Sequence, residues 1–115
     1  MLRVAVMGAS GRVGQLVVRQ VLEDPGLTLA AAMTHRSSAS IGTDAGAMTG
    51  GEACGVTVTP PRAVDADVMI DFSVPEGLMT WLEVQETPVP LVTGTTGLNP
   101  EQRARLAGWS DRAPV

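Results

Sequence analysis

The chain has no lysine and no tyrosine, and a single histidine (His35), cysteine (Cys54) and phenylalanine (Phe72). Each shortage closes a class of function. A Walker-type phosphate loop needs its lysine to reach the phosphates, so that class of nucleotide hydrolase is excluded. Reductases that use a Tyr–Lys pair as proton donor are excluded with it. One cysteine forms no internal disulfide, and one cysteine with one histidine is too little for a zinc site, so no metal is expected. A nucleophilic Cys54 would need a base beside it. Nothing in the sequence brings His35 there, and Cys54 reads as a small, half-buried residue. Eight arginines stand against twelve acids, for a net charge of −4. With no basic tract there is no electrostatic footprint for nucleic acid. No apolar run approaches the roughly 18 residues of a membrane span. The first apolar stretch ends at Gly8, too early for a secretory leader, so a cytoplasmic protein is expected.

What is present is the composition of one folded domain. The 115 residues are 44% hydrophobic and 17% charged, with 13 glycines and 8 prolines. That suits a single core spanning residues 1–115. Residues 2–7 form a β-branched and apolar run that reads as a buried strand. A helix follows from near Gly11, with Val13, Leu16, Val17, Val21 and Leu22 at helical spacing as its apolar face. Asp24-Pro25-Gly26 stops it, and residues 27–33 read as a second strand. Residues 37–55 show no clean period and read as a loop with a short helix near residues 45–48. Strands are expected at 56–59, 67–72 and 90–93. Pro75-Glu76-Gly77 opens a helix with Leu78, Trp81, Leu82 and Val84 as most of its apolar face. Asn99-Pro100-Glu101 opens another that runs to about Trp109. Trp81 and Trp109 read as packing residues. Ala113-Pro114-Val115 reads as the start of a further strand, which would leave the domain incomplete at its C-terminus. Strands alternating with helices predict an α/β fold, a doubly wound and mostly parallel sheet.

Gly8, Gly11 and Gly14 form a G-x-x-G-x-x-G pattern. The spacing alone is weak; its place between an apolar strand and an amphipathic helix is what gives it meaning. Gly8 would allow the tight turn, Gly11 would let a pyrophosphate approach the backbone, and Gly14 would let the helix pack close to the sheet. Free N–H groups and the positive dipole end of the helix would face the phosphates. A dinucleotide is therefore the expected ligand. NAD-preferring folds of this type hold the ribose 2′-OH with an acid at the end of the second strand. Here that stretch is Met33-Thr34-His35-Arg36, without an acid. Arg36, with His35 and Arg12, could grip a 2′-phosphate instead, since a guanidinium matches phosphate oxygens in a bidentate fashion. NADPH is expected to be preferred over NADH. Gly94-Thr95-Thr96-Gly97 ends a later strand on the same sheet edge and suits a nicotinamide or a substrate carboxylate. Phe72, at the end of another strand, borders the cofactor or belongs to the core.

Taken in order, Gly8-Ala9-Ser10-Gly11-Arg12-Val13-Gly14, Gly42-Thr43-Asp44-Ala45-Gly46, Asp71-Phe72-Ser73-Val74-Pro75-Glu76-Gly77 and Gly94-Thr95-Thr96-Gly97 resemble the amino-terminal half of the 4-hydroxy-tetrahydrodipicolinate reductase family. The resemblance covers nearly the whole chain. It implies a Rossmann-type domain binding NAD(P)H through Gly8, Ala9, Ser10, Gly11, Arg12 and Val13, with adenosine-side contacts near Thr34 and His35. It also implies that Gly94, Thr95 and Thr96 lie against the nicotinamide, with Thr96 close to the substrate. That substrate would be a small cyclic dicarboxylate of lysine and diaminopimelate biosynthesis, reduced to tetrahydrodipicolinate in a homotetramer of full-length chains. The family often carries an acid followed by a base where this sequence has Thr34 and His35, which moves the expectation further toward NADPH. Family members are longer, and their catalytic segment contains a His pair and a Lys. None of these is present, so no catalytic residue is expected in this chain and it should not turn over alone. Two other readings are a stand-alone nucleotide-binding or redox-sensing module, and the cofactor half of another NADP-dependent reductase.

Overall fold

The computed structural model describes all residues 1–115. Five strands, β1 (Leu2–Met7), β2 (Leu27–Met33), β3 (Val58–Thr59), β4 (Val68–Asp71) and β5 (Leu91–Thr93), form one sheet in the order β3-β2-β1-β4-β5. Every strand pair in it is parallel. Helices α1 (Arg12–Glu23), α2 (Ala45–Met48), α3 (Pro75–Val84) and α4 (Pro100–Ser110) connect the strands. The strand order reverses between β1 and β4, which opens a crevice at the carboxyl edge of the sheet.

The sheet is buried on both faces, as parallel sheets are, and β1 shows why. Val4 and Val6 point into a cluster with Val18 and Val21 of α1 and Ala45 of α2. Ala5 and Met7, one residue out of phase, point into the opposite cluster with Leu78, Trp81 and Leu82 of α3 and Trp109 of α4. The alternation breaks in β2, where Leu29 and Ala31 face opposite sides although they are two residues apart. The pairing with β1 slips between Val4 and Ala5, so that Ala30 is bulged out and the side chains after it change face. The Trp81 and Trp109 rings pack with centroids 5.7 Å apart, and the Trp109 indole N–H donates to the Val89 carbonyl at 3.0 Å.

Three expectations change within these elements, and a fourth beyond α4. The buried face of α1 is Gly14, Val18 and Val21, whereas Val13, Leu16 and Leu22 are exposed. The first turn of the helix packs through Gly14 against the backbone of Gly8 and Ala9, with Val18 and Val21 continuing the buried face. The strand expected at 56–59 joins the sheet only at Val58–Thr59. Before it, the Val56 carbonyl accepts from Ala45 N–H, and Thr57 makes an isolated antiparallel bridge with Asp44. The apolar face of α3 includes Met79, while Val84 is only half-buried.

Asp44 organises the unpatterned segment around α2. Its carboxylate accepts from the backbone N–H groups of Gly46, Ala47, Cys54 and Gly55 at 2.8–3.2 Å. The Cys54, Ala47 and Gly55 donors hold its pKa down at about 2. α4 begins with a reciprocal capping box between Asn99 and Gln102. Beyond α4, Ala113 is buried and the Pro114 carbonyl accepts from Leu91 N–H at 2.8 Å. This is a single ladder bond on β5, and no strand is formed at 113–115.

Candidate functional site

The loop after β1 is built around two glycines that admit no side chain. Gly8 has φ +84°, the left-handed region that glycine tolerates without strain. A Cβ there would also stand 2.6 Å from the Phe72 carbonyl oxygen. A Cβ on Gly14 would run into the Gly8 carbonyl, which is backbone and cannot step aside. Gly11 differs from both. It caps α1 with φ −74°, and a Cβ on it would meet only the Gly8 oxygen at 3.3 Å. Gly11 is exposed, so its space faces outward. No side chain caps α1, and the N–H groups of Arg12 and Val13 have no partner within the chain. These are the orphan donors of a helix start.

The N–H groups of Gly8 and Ala9 both donate to the Met33 carbonyl at the end of β2, which draws the loop over that strand. Thr34 follows and is buried, its hydroxyl bonded to that of Ser10 at 2.5 Å. The residue that follows β2 therefore carries a hydroxyl that clasps the glycine loop, not an acid. Beyond it His35 and Arg36 are exposed.

A cleft of about 290 Å³ opens here, lined by Gly8, Ser10, Gly11, Thr34, His35 and Phe72, together with Met7, Ser73, Val74 and Gly77. An adjoining hollow of about 250 Å³ shares His35 and Gly77 and adds Arg36, Glu76 and Thr80. Arg36 makes no ion pair; the four in the chain belong to Arg3, Arg19 and Arg105. Six of the expected residues thus meet in one cleft, with Arg36 at its rim. Ala9 is buried beneath the loop against the α1-side core. Val13 is exposed on α1. Arg12 lies outside the cleft, in a separate hollow with Gln15, Leu16, Arg19 and Thr49.

Gly94, Thr95 and Thr96 are not among the residues lining the cleft; they adjoin it through the end of β4. The Gly94 N–H donates to the Asp71 carbonyl at 2.8 Å, and Gly94 lies against the Phe72 ring. The Asp71 carboxylate is fully buried and accepts from Ser73 N–H, Ser73 Oγ, Thr93 Oγ1 and Thr95 Oγ1 at 2.6–3.1 Å. Sequence reasoning gave Asp71 no role. The available signal was an acid ending the buried apolar run Val68-Met69-Ile70, since a buried carboxylate requires donors close by.

Residues 2–115 match the family model described as dihydrodipicolinate reductase, N-terminus. The chain belongs to that family. It is 46% identical over 112 residues to a 4-hydroxy-tetrahydrodipicolinate reductase of Ralstonia nicotianae, covering 94% of this chain and 42% of the relative. It is 36% identical over 115 residues to the reductase of the same name from Rubrobacter xylanophilus, covering all of this chain and 43% of that one. The chain thus spans about two-fifths of the length of these curated relatives. Among solved structures, it resembles an aspartate semialdehyde dehydrogenase with NADP from Candida albicans, with a TM-score of 0.60 at 16% identity. That likeness covers 84% of this chain and 30% of the other, and it shows the shared Rossmann-type fold. No helix of the dihydrodipicolinate reductase family chain described here is long and apolar enough to cross a membrane.

Proposed function

We propose that this chain is the NAD(P)H-binding part of a 4-hydroxy-tetrahydrodipicolinate reductase. The observation that carries the reading is the uncapped start of α1, with unpaired N–H groups beside an open Gly11, at the mouth of a cleft on the carboxyl edge of the sheet. A pyrophosphate fits that geometry, because helix-start donors and the helix dipole favour an anion and Gly11 has no Cβ to hold it off. The family name supports a reductase, and the reaction we assign to the full enzyme is reduction of a small cyclic dicarboxylate in lysine and diaminopimelate biosynthesis.

In this reading the nicotinamide, when bound, supplies a hydride. The chain's own residues bind and orient. His35 and Arg36 sit at the adenosine end, where the unpaired guanidinium suits a 2′-phosphate. Thr34, tied to Ser10, offers no carboxylate to a 2′-OH. Both features favour NADPH over NADH. Phe72 and Gly94 border the nicotinamide end, and the exposed Thr96 hydroxyl is the group set nearest the substrate. The chain's one imidazole lies at the adenosine end, and the buried Asp71 carboxylate already serves three residues. Neither is placed to give a proton to the substrate, so that proton and the substrate clamp come from other residues of the enzyme.

Calorimetric titration of the protein with NADPH and with NADH tests the reading. Binding of both, tighter for NADPH, is expected. Equal or reversed affinities would remove the NADPH preference, and no binding of either by folded protein would remove the reading itself.

A further inference from the structure

We propose that Asp71 is a positioning residue that fixes the Thr95 hydroxyl as a hydrogen-bond acceptor toward the carboxamide N–H of the nicotinamide. The inference rests on the dinucleotide reading and adds a residue and a polarity to it.

Asp71 closes β4 with no solvent exposure and no cation beside it. An acid in such a place is costly unless donors surround it. It receives four, from two separate segments of the chain. Ser73 N–H and Ser73 Oγ donate at 3.1 and 2.6 Å from the loop after β4. Thr93 Oγ1 and Thr95 Oγ1 donate at 2.7 and 2.6 Å from the end of β5 and the loop beyond it. A carboxylate only accepts, and a hydroxyl owns one proton. Each of these hydroxyls therefore spends its proton on Asp71.

The consequence differs from residue to residue. Thr93 Oγ1, having donated to Asp71, accepts from Thr95 N–H at 3.1 Å, so its free lone pair is used within the chain. Ser73 also lies near the Val74 carbonyl. Thr95 is half-buried beside Ser73, which lines the cleft, and the only other oxygen near its hydroxyl is the Ser73 carbonyl at 3.2 Å, an acceptor like Asp71. Its lone pairs are left without a donor. Thr95 thus presents an acceptor of fixed direction, whereas the neighbouring Thr96 hydroxyl makes no bond in the chain and can turn either way. A nicotinamide carboxamide offers one oxygen acceptor and one NH₂ donor; an acceptor-only Thr95 selects the NH₂ and so sets the carboxamide's orientation. A network needed only to join β4 to β5 would not require a buried acid, because the strands already share backbone bonds.

The test compares three probes. NADPH carries the carboxamide, its reduced 3-acetylpyridine analogue replaces the NH₂ by a methyl group, and 2′-phospho-ADP-ribose lacks the ring altogether. The parent protein is expected to bind NADPH about five- to tenfold more tightly than the analogue, the value of one net hydrogen bond. Asp71→Asn and Thr95→Val should bring that ratio to within about twofold, while Thr95→Ser should keep it. Affinity for 2′-phospho-ADP-ribose should be the same in all four proteins. An unchanged ratio in Asp71→Asn with native circular dichroism overturns the proposal, and so does an equal loss for 2′-phospho-ADP-ribose, which marks a merely structural role. Should Asp71→Asn fail to fold, an unchanged ratio in Thr95→Val overturns it. A parent that binds both dinucleotides equally defeats this proposal alone; a folded parent that binds neither defeats the dinucleotide reading as well.

Discussion

The ring of Phe72 fills the space that a side chain on Gly94 would need, which couples the end of β4 to the loop after β5 at the nicotinamide side of the proposed site. Phe72 is 37% exposed, so its ring can swing outward if Gly94 acquires a methyl group. Gly94→Ala should therefore cost less than about 1 kcal/mol of stability. It should weaken NADPH binding because the displaced ring no longer borders the cleft. Thermal unfolding and titration together check this. Native affinity with native stability would show that the ring position is irrelevant to the ligand.

The glycines of the loop should separate by function. Gly11→Val puts a side chain on the exposed side of the loop at an ordinary φ, with only the Gly8 oxygen close to its Cβ at 3.3 Å, so the fold should persist while dinucleotide binding is lost. Gly14→Ala forces a methyl group against the Gly8 carbonyl and should destabilise by about 1–3 kcal/mol or more, as overpacked positions do. Urea unfolding of both variants, with binding measured on the folded one, decides between them. A Gly11→Val protein that binds NADPH normally would contradict the loop assignment.

Two features of the fold could not be read from the residues because glycine and alanine carry no pattern. In α1 the contact ridge runs through Gly14, so the hydropathy of Val13, Leu16 and Leu22 suggests a face turned away from the true one. In β2 the bulge at Ala30 lies within an alanine run, where neither side chain size nor polarity marks a change of face. Strands β1, β4 and β5 were legible because they are short apolar runs, β1 ending at Gly8, β5 lying between Pro90 and Gly94, and β4 following Asp67 and closing on Asp71. The glycine loop was legible for the same reason. Asp71 and the Ser10–Thr34 clasp were not, since their roles depend on partners 22 to 24 residues away.

Arg36→Ala should weaken NADPH binding by about 1–3 kcal/mol, the range of a charge-assisted bond, and leave NADH binding nearly unchanged. Parallel titrations measure both. An equal effect on the two cofactors would place Arg36 away from the 2′-phosphate.

The Asp44 carboxyl should titrate with a midpoint of about 2, below the ordinary 3.8. A carboxylate held down by backbone donors stabilises the folded state fully above the unfolded value. That contribution fades as the pH falls from about 4 toward 2, when protonation weakens the bonds from Cys54, Ala47 and Gly55. The backbone amide resonances of Cys54 and Gly55 should move with this titration in NMR spectra. In Asp44→Asn the acid-dependent movement should vanish. A midpoint near 4 would mean that the carboxylate gains nothing from its four donors.

The most direct test of the dinucleotide reading is amide chemical-shift mapping of the isotope-labelled protein during NADPH addition. The largest shifts are expected at Gly8–Val13, at Thr34–Arg36 and at Gly94–Thr96. None beyond noise is expected at Gly46 to Cys54, around the separate hollow of about 320 Å³ between α1 and α2. Saturable shifts confined to residues 46–54, or none anywhere in a folded protein at millimolar NADPH, would contradict that reading.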